Sequence, residues 1–290
     1  MKKSKYGLLI LLLLLVTFCN QMTTGQSVVA LKLPGMEDAI VKKDITYLNN
    51  SVLHRKMDIY YPPKFDFKRN IPAIIFISGC PDTSMVKLAG NEFRKWSTYT
   101  SWCKLVAASG MAAIVYETGD PKDDLIALTE YINSNLDKLS INKNSIGAFV
   151  CSGHTPNAVS YILNSPSNIF NCAVLYYGFF LTQDFEYLST IEGLLLDKGF
   201  QKPPILTDPI NWNKNVSILI IRAGMDNVPY LNQSMQNFFN NAINQNLPIT
   251  LINYPQGVHG FDVYMDNETT RLIISNTLEF WKQNLKVNSN

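Results

Sequence analysis

Three residue types that can act together in nucleophilic catalysis each follow an apolar run of this 290-residue chain. Ser152 follows residues 146–150, Asp226 ends the run VSILIIRAGMD, and His259 lies in ITLINYPQGVHGF. A serine hydroxyl needs a base to become a strong nucleophile, and a histidine base needs an acid that fixes its tautomer. If the runs are parallel strands, their carboxyl ends share one edge of a sheet. The sequence therefore predicts a triad of Ser152, Asp226 and His259.

Few residues can be the histidine base, because the chain has only three histidines. His54 lies near the start of an early predicted strand, which is a structural or surface position. His154 is two residues from Ser152, so it could line a pocket but is too close to act as the base on that serine. His259 lies in a glycine-flanked loop, where the ring can swing over the serine, take its proton and return it to a leaving group.

The acid is predicted at Asp226, in the turn that ends its apolar run. There it would hold the imidazole tautomer and stabilise the imidazolium. A turn or N-cap aspartate is the structural alternative for this position. Asp262 and Glu117 are the substitute acids.

The segment Val150-Cys151-Ser152-Gly153-His154 departs from G-x-S-x-G, the usual form of a strand-to-helix turn that exposes a nucleophile. The two outer glycines of that form relieve crowding in a strained turn, and valine and histidine replace them here. Two alternatives stay open. Ser152 could simply cap the helix, and Cys151 could be the nucleophile.

Backbone amides near the serine are expected to stabilise an oxyanion. The Gly153 amide would point to the place where the oxyanion forms, aided by the N-terminus of the following helix. A second donor is expected after the predicted strand 73–78, in Ser78-Gly79-Cys80-Pro81. Proline has no N–H, so this donor must be the amide of Gly79 or Cys80.

Apolar periods of 2 and 3.6 residues alternate along the chain, which predicts an α/β fold with helices on both faces of a sheet. Predicted strands cover residues 54–61, 73–78, 111–116, 146–150, 172–177, 218–222 and 249–254. Predicted helices cover residues 93–109, 155–164, 230–246 and 268–285, with a further apolar stripe from Leu125 to Leu139. The proline-containing segment 179–215 breaks this rhythm, so we expect a lid or pocket insertion over the strand ends.

The N-terminus has the pattern of a secretory signal peptide at residues 1–25. A lysine-rich start precedes an apolar run at 7–18, and Thr23 and Gly25 are small residues suited to cleavage before Gln26. A lipid anchor at Cys19 and an uncleaved anchor are the alternatives. We expect an exported protein, periplasmic or secreted, without stable membrane insertion after cleavage, and a single domain over residues 26–290.

Composition argues against several other functions. Removing the three lysines of the leader changes the formal charge from +2 to −1, and no basic run that would favour nucleic acid is left. No metal-ligand spacing, phosphate loop or dinucleotide fingerprint is present, so no metal and no cofactor is expected. An even number of cysteines in an exported chain permits two disulfides. Each nevertheless lies in or beside an apolar element, which favours buried free thiols at Cys80, Cys103, Cys151 and Cys172.

Five segments resemble the dienelactone hydrolase-like branch of the α/β-hydrolases: IIFISGCPD, YTSWCKLVAASGMAAIVYE, IGAFVCSGHTPNA, RAGMDNVPYLN and PQGVHGFD. The third is similar to a subgroup with A-C-S-G-(H/N)-x-P at the nucleophile. The resemblance implies an α/β-hydrolase fold with a mostly parallel sheet, acyl-hydrolase chemistry and the triad order Ser, Asp, His. In such hydrolases the nucleophile lies six residues after the leading isoleucine of its strand, which favours Ser152 over Cys151. Dienelactone hydrolases themselves use cysteine, so the serine argues against a dienelactone substrate.

Together these patterns predict an exported serine esterase that cleaves small-molecule carboxylic esters through an acyl-enzyme. A prolyl-oligopeptidase-like peptidase shares the triad order and is the alternative among enzymes. A non-catalytic binding protein with the same fold is the alternative from another class, motivated by the altered glycines beside Ser152. Labelling with a fluorophosphonate distinguishes the last of these from an active hydrolase.

Overall fold

A computed structural model of the chain describes residues 27–82, 86, 90–197, 202–207 and 209–286. The predicted signal peptide 1–25 and the cleavage site before Gln26 lie outside these residues. Among the described helices, none combines the length and the apolar character needed to cross a bilayer.

Eight strands form one sheet in the order β1-β2-β4-β3-β5-β6-β7-β8. The strands are Ile40–Asn49 (β1), His54–Tyr61 (β2), Ile71–Ile77 (β3), Ala112–Tyr116 (β4), Ile141–Cys151 (β5), Cys172–Tyr176 (β6), Ser217–Ala223 (β7) and Ile249–Tyr254 (β8). Strand β2 is antiparallel to both of its neighbours, and the other pairs are parallel. The carboxyl ends of β3 to β8 therefore lie at one edge, as the sequence predicted.

Strand β1 was not predicted. Its sequence, IVKKDITYLN, has no regular alternation, and most of its residues are exposed or half-buried. Its pairing with β2 is irregular between Lys42 and Ile45 and between Thr46 and Leu48, and Asp44 has a positive φ of 57°. An edge strand with such bulges shifts the side-chain alternation, so the period of two that marks a strand is lost.

The α-helices of the described residues are Ser97–Ala108 (α1), Asp123–Ser134 (α2), Thr155–Asn164 (α3), Leu188–Asp197 (α4), Leu231–Asn244 (α5), Phe261–Tyr264 (α6) and Glu268–Asn284 (α7). The predicted helix 93–109 is divided, because extended backbone at Trp96 separates a short 3-10 turn, Phe93–Lys95, from α1. Helix α2 ends at Ser134, so the apolar stripe continues into a turn. The expected insertion 179–215 contains α4 and is not a simple loop.

The core lies on both faces of the sheet. Every residue of β4 and β6 is buried, which requires cover on both sides. One face is packed by the indole rings of α1 and α7, which meet the aromatic side chains Phe76, Phe149 and Tyr176 of the sheet. Helices α2 and α3 meet through a hydrogen bond between their Thr129 and Tyr161 hydroxyls. The sheet positions the loops at its carboxyl edge.

Candidate active site

Ser152 occupies a sharp turn between β5 and α3. It is the first residue of a 3-10 turn, Ser152–His154, and its φ of 54° lies in the left-handed region. A residue with a β-carbon adopts this region at a cost, and such strain is typical of the turn that exposes a hydrolase nucleophile. Ser152 is half-buried, whereas Cys151 and Gly153 on either side of it are buried. The turn thus exposes the serine although its outer positions are not glycine.

The three predicted residues of the triad are joined by hydrogen bonds. Asp226 Oδ2 lies 2.6 Å from His259 Nδ1, and His259 Nε2 lies 3.0 Å from Ser152 Oγ. A carboxylate can only accept, so Nδ1 carries the proton and donates to Asp226. In a neutral ring Nε2 is then the acceptor of the Ser152 hydroxyl. This is the tautomer that a general base needs.

The loops that carry the acid and the histidine are fixed to each other. The Met225 N–H donates to the Gly257 carbonyl at 2.8 Å. A β-carbon on Gly224 would lie 2.4 Å from the Pro255 carbonyl oxygen, so only glycine permits this approach of the two backbones. The other carboxylate oxygen of Asp226 accepts the Val228 N–H at 2.9 Å. The side chain of Asp226 is fully buried, so its charge is shielded from water.

The two substitute acids hold other groups. Glu117 accepts from Arg94 Nε at 2.9 Å and from the Lys56 N–H at 3.1 Å. Arg94 is buried and also donates to Asp58 at 2.9 Å, so Glu117 belongs to an ion cluster that ties β4 to β2. Asp262 accepts from the side chains of Trp102 and Tyr177. The carboxylate on His259 Nδ1 is that of Asp226, and Asp262 and Glu117 bind elsewhere.

Two of the three predicted oxyanion donors are engaged within the protein. The Gly153 N–H donates to the Gly79 carbonyl at 3.1 Å, and the Gly79 N–H donates to the Tyr99 hydroxyl at 3.2 Å. The third donor, the Cys80 N–H, shares a planar trans peptide with the Gly79 carbonyl, and the two groups point in opposite directions. While the carbonyl faces Gly153, the Cys80 N–H therefore points away from it.

Cys151 is not placed to act as a nucleophile. Its thiol is buried, with Sγ 3.6 Å from the Tyr99 hydroxyl. Burial raises its pKa to about 12, so the thiol stays protonated near neutral pH, and the thiolate is the reactive form. The four described cysteines are free thiols; Cys103, Cys151 and Cys172 are buried as expected, whereas Cys80 is partly exposed.

The other two histidines lie in different environments. His54 is exposed at the start of β2, the surface position expected from the sequence. His154 is fully buried, and burial lowers its pKa to about 3, so its ring is neutral. Because it has no exposed surface, it does not line an open pocket, contrary to the suggestion from sequence.

Sequence reasoning missed Tyr177, which directly follows β6. Its ring centroid lies 4.6 Å from that of His259, and its hydroxyl donates to Asp262 at 2.6 Å. Its φ of 36° is positive, as at Ser152. The signal was an aromatic residue followed by Gly178 at the end of a buried strand, the position where parallel sheets carry functional side chains.

The insertion 179–215 is anchored beside the acid loop. Within it Thr182 pairs with Leu206, and Asn237 of α5 donates to Asp184 at 3.2 Å. Tyr187 stacks on Tyr230 with ring centroids 4.4 Å apart. Tyr230 lies in the loop between β7 and α5 that also carries Asp226, so the insertion contacts the segment that carries the acid. Across the described residues, no group of three or more His, Cys, Asp or Glu side chains is arranged to hold a metal ion.

The topology and the positions of these loops define the fold. A mostly parallel eight-stranded sheet has the serine turn after β5, the aspartate after β7 and the histidine after β8. That chain order of Ser, Asp and His on such a sheet is the α/β-hydrolase arrangement. The chain has the α/β-hydrolase fold, which confirms the fold predicted from sequence.

Solved structures agree with this assignment. MGS-M1, an alpha/beta hydrolase enzyme from a Medee basin deep-sea metagenome library, matches with a TM-score of 0.62 at 15% identity, over 86% of this chain and 99% of that one. Propionate-bound esterase Est2 of Thermogutta terrifontis matches with a TM-score of 0.60 at 17% identity, over 86% and 94% of the two chains. The paraoxon-phosphorylated form of that esterase has a TM-score of 0.57 at 16% identity, over 87% and 95%. No protein-family model matches the chain, and no curated protein matches its sequence.

Proposed function

We propose that this protein is a serine hydrolase that cleaves carboxylic esters through an acyl-enzyme. The observation that carries the proposal is the continuous hydrogen-bonded line from Ser152 Oγ through His259 to Asp226, with contacts of 3.0 Å and 2.6 Å. A line of this kind supports the proposal, because a serine hydroxyl becomes a strong nucleophile when a histidine base, oriented by an acid, accepts its proton.

The proposed reaction has two halves. Ser152 Oγ attacks the ester carbonyl while its proton passes to His259 Nε2, giving a tetrahedral oxyanion. The C–O bond to the alcohol then breaks, and Nε2 returns the proton to the departing alkoxide. Water next gives a proton to Nε2 and attacks the acyl-enzyme, and the acid leaves as Ser152 recovers its proton. Asp226 stabilises the imidazolium in both halves.

Stabilising the oxyanion requires one local rearrangement. The Gly79 carbonyl holds the Gly153 N–H and has to leave it before a substrate oxygen can bind there. Rotation of the Gly79–Cys80 peptide moves this carbonyl away and turns the Cys80 N–H toward the vacated space. The reaction would then use Gly153 and Cys80 as donors, two of the three predicted from sequence.

Short acyl esters are the substrates to test first. The esterase of Thermogutta terrifontis has been solved with propionate and with butyrate, and it shares this fold. The five segments that resemble the dienelactone hydrolase-like branch support acyl-hydrolase chemistry, and serine as the nucleophile favours a simple ester over a dienelactone. We propose that the acyl group is small and that the insertion 179–215 bounds its pocket.

The decisive experiment combines fluorophosphonate labelling with hydrolysis of p-nitrophenyl acetate and butyrate. Ser152→Ala should abolish labelling, and Ser152→Ala and His259→Ala should each lower kcat by several orders of magnitude. The double variant should be little worse than either, because the residues act as one unit. Asp226→Asn should cost less than these but well over tenfold. An unlabelled, inactive wild type would refute the proposal.

The engaged amides favour one second candidate, a non-catalytic binding protein of the same fold. Its supporting observation is that the Gly153 and Gly79 N–H groups already have partners inside the protein. A binding protein would fail to react with a fluorophosphonate at any concentration. A hydrolase with an occupied oxyanion site would react in a time-dependent way.

Export is a separate proposal. We propose that residues 1–25 are removed and that the protein acts outside the cytoplasm, because the lysine-rich start, apolar run and small residues fit a cleaved leader. Intact mass of the protein from its native host should correspond to a chain that begins at Gln26. A diacylglyceryl mass on Cys19 would instead indicate a lipid anchor.

A further inference from the structure

Asp262 is a buried carboxylate in the turn that carries His259. Gly260, with a φ of 75°, is the N-cap of the short helix α6, and Asp262 is the second residue of that helix. Only 1% of its surface is exposed. A buried carboxylate is unfavourable unless strong donors compensate for its lost hydration. The donors to this carboxylate therefore identify the parts of the structure that Asp262 holds together.

The two donors to Asp262 come from distant parts of the chain. The Tyr177 hydroxyl donates to Oδ1 at 2.6 Å, and Trp102 Nε1 donates to Oδ2 at 2.8 Å. Tyr177 follows β6 and Trp102 lies in α1, so the carboxylate fastens the histidine turn to the sheet edge and to a covering helix. Hydrogen bonds to a carboxylate are about twice as strong as bonds between neutral groups.

Tyr177 also contacts the imidazole itself. Its ring centroid lies 4.6 Å from that of His259, with an angle of 51° between the planes. This is within the roughly 6 Å at which an aromatic ring attracts a cation. The imidazolium that forms during the proposed reaction would therefore gain from this ring, while the hydroxyl of the same residue fixes the turn. The positive φ of Tyr177 shows that its backbone is held in a strained conformation.

We infer that Tyr177 and Asp262 are positioning residues that hold the His259 ring in its reactive orientation, an inference that rests on the proposed function. Asp226 fixes the ring in its own plane through Nδ1. Tyr177 limits tilting because its ring packs against that of His259. Asp262 limits movement of the turn that carries the ring, because it accepts hydrogen bonds from Tyr177 and Trp102. Without them, the Nε2 lone pair points toward Ser152 Oγ for a smaller fraction of the time.

The test removes single groups from the full-length protein. Tyr177→Phe keeps the ring and deletes only the hydroxyl, and Asp262→Asn keeps the shape of the carboxylate. Each should lower kcat for p-nitrophenyl butyrate by about tenfold to a hundredfold and change KM by less than about twofold, because orientation of the base affects the chemical step. The double variant should be little slower than the slower single variant, because both changes act on the same Tyr177–Asp262 hydrogen bond: one removes its donor and the other replaces its charged acceptor by a neutral one.

Tyr61→Phe is the matched control. Tyr61 lies in β2, and this change deletes its buried hydroxyl, which donates to the Leu139 carbonyl at 2.9 Å. It should lower thermal stability while kcat stays at the wild-type value. The far-downfield proton resonance of His259 Nδ1–H provides a second readout. It should shift or broaden in Tyr177→Phe and stay unchanged in Tyr61→Phe.

The proposed function and the positioning role of Tyr177 are tested by different measurements. Fluorophosphonate labelling of the wild type tests the proposed function, and its absence overturns the serine-hydrolase proposal. A labelled wild type, with a Tyr177→Phe variant that keeps its kcat and its Nδ1–H resonance, overturns only the positioning role. If Asp262→Asn does not fold, the comparison of Tyr177→Phe with Tyr61→Phe still decides the question.

Discussion

Gly79→Ala should disturb the turn that carries Ser152. A β-carbon on Gly79 would lie 2.8 Å from the Ser152 β-carbon and 3.4 Å from the Cys151 carbonyl oxygen. Neither neighbour can move easily, because the first is bonded to the backbone and the second belongs to it. The loop after β3 must therefore move away from the turn at Ser152.

The size of the movement sets the expected effect. Moving the loop by about 0.6 Å brings the contact from 2.8 Å to 3.4 Å, where ordinary van der Waals contact begins. A misplacement of about 1 Å in a catalytic site can cost about 100-fold in rate. We therefore expect kcat/KM for p-nitrophenyl butyrate to fall by about tenfold to a hundredfold. Overpacking should also lower the free energy of unfolding by about 1–3 kcal/mol.

Gly193→Ala is the matched control, because a β-carbon there meets nothing within 4 Å. Gly193 lies in α4, where alanine should stabilise the helix by up to about 1 kcal/mol. Both variants are compared by ester hydrolysis and by urea unfolding. If Gly79→Ala keeps both the wild-type kcat/KM and the wild-type stability, the close approach of the loop to the Ser152 turn is wrong.

Three further results are expected. Cys151→Ala should keep most of the proposed esterase activity, because the protonated thiol takes no part in the proposed reaction; an inactive Cys151→Ala beside an active Ser152→Ala would instead indicate a thiol hydrolase. Alkylation under denaturing conditions without reductant should label all four cysteines of the mature chain, and two labels or fewer would reveal a disulfide. Asp82 accepts the Phe93 and Thr118 N–H groups, and burial raises its pKa from 3.8 to about 6. Because the pKa of Asp82 is higher in the folded state than in the unfolded state, protonation of this carboxyl stabilises the fold. The stabilisation is roughly 3 kcal/mol below about pH 4, and it is lost as the pH rises through 6. Urea unfolding at pH 4 and pH 7 should therefore show wild type losing stability relative to Asp82→Asn, and parallel profiles would contradict the raised pKa.

The elements that the sequence predicted well are those in which the apolar residues recur with one clear period. Strands β2 and β8 and helix α3 have the predicted bounds, because apolar runs and turn residues mark both of their ends. The predicted triad residues also come together, since each follows a buried strand and parallel strands share an edge. These are local signals, and a single sequence contains them.

The parts that were missed depend on contacts between distant residues. Asp262 was considered only as a substitute acid, because its partners Trp102 and Tyr177 are 160 and 85 residues away in sequence. Whether the Gly153 N–H is hydrogen-bonded within the protein depends on the orientation of the Gly79–Cys80 peptide. The residue types along the chain do not indicate that orientation. Strand β1 was lost because its bulges break the alternation.

The Gly79 carbonyl already accepts the Gly153 N–H, so it competes with any ligand oxygen that would accept the same hydrogen bond. A substrate carbonyl that uses this donor competes with a group that is always present at the same effective concentration. In the proposed reaction, the apparent affinity of any such ligand is its intrinsic affinity multiplied by the fraction of molecules whose Gly79–Cys80 peptide has already rotated. Esters, fluorophosphonates and transition-state analogues that bind through the Gly153 N–H would all have their affinity reduced by this same factor, so their relative preferences are independent of it. A substitution that shifts the peptide equilibrium should change the reactivity toward all of them in parallel.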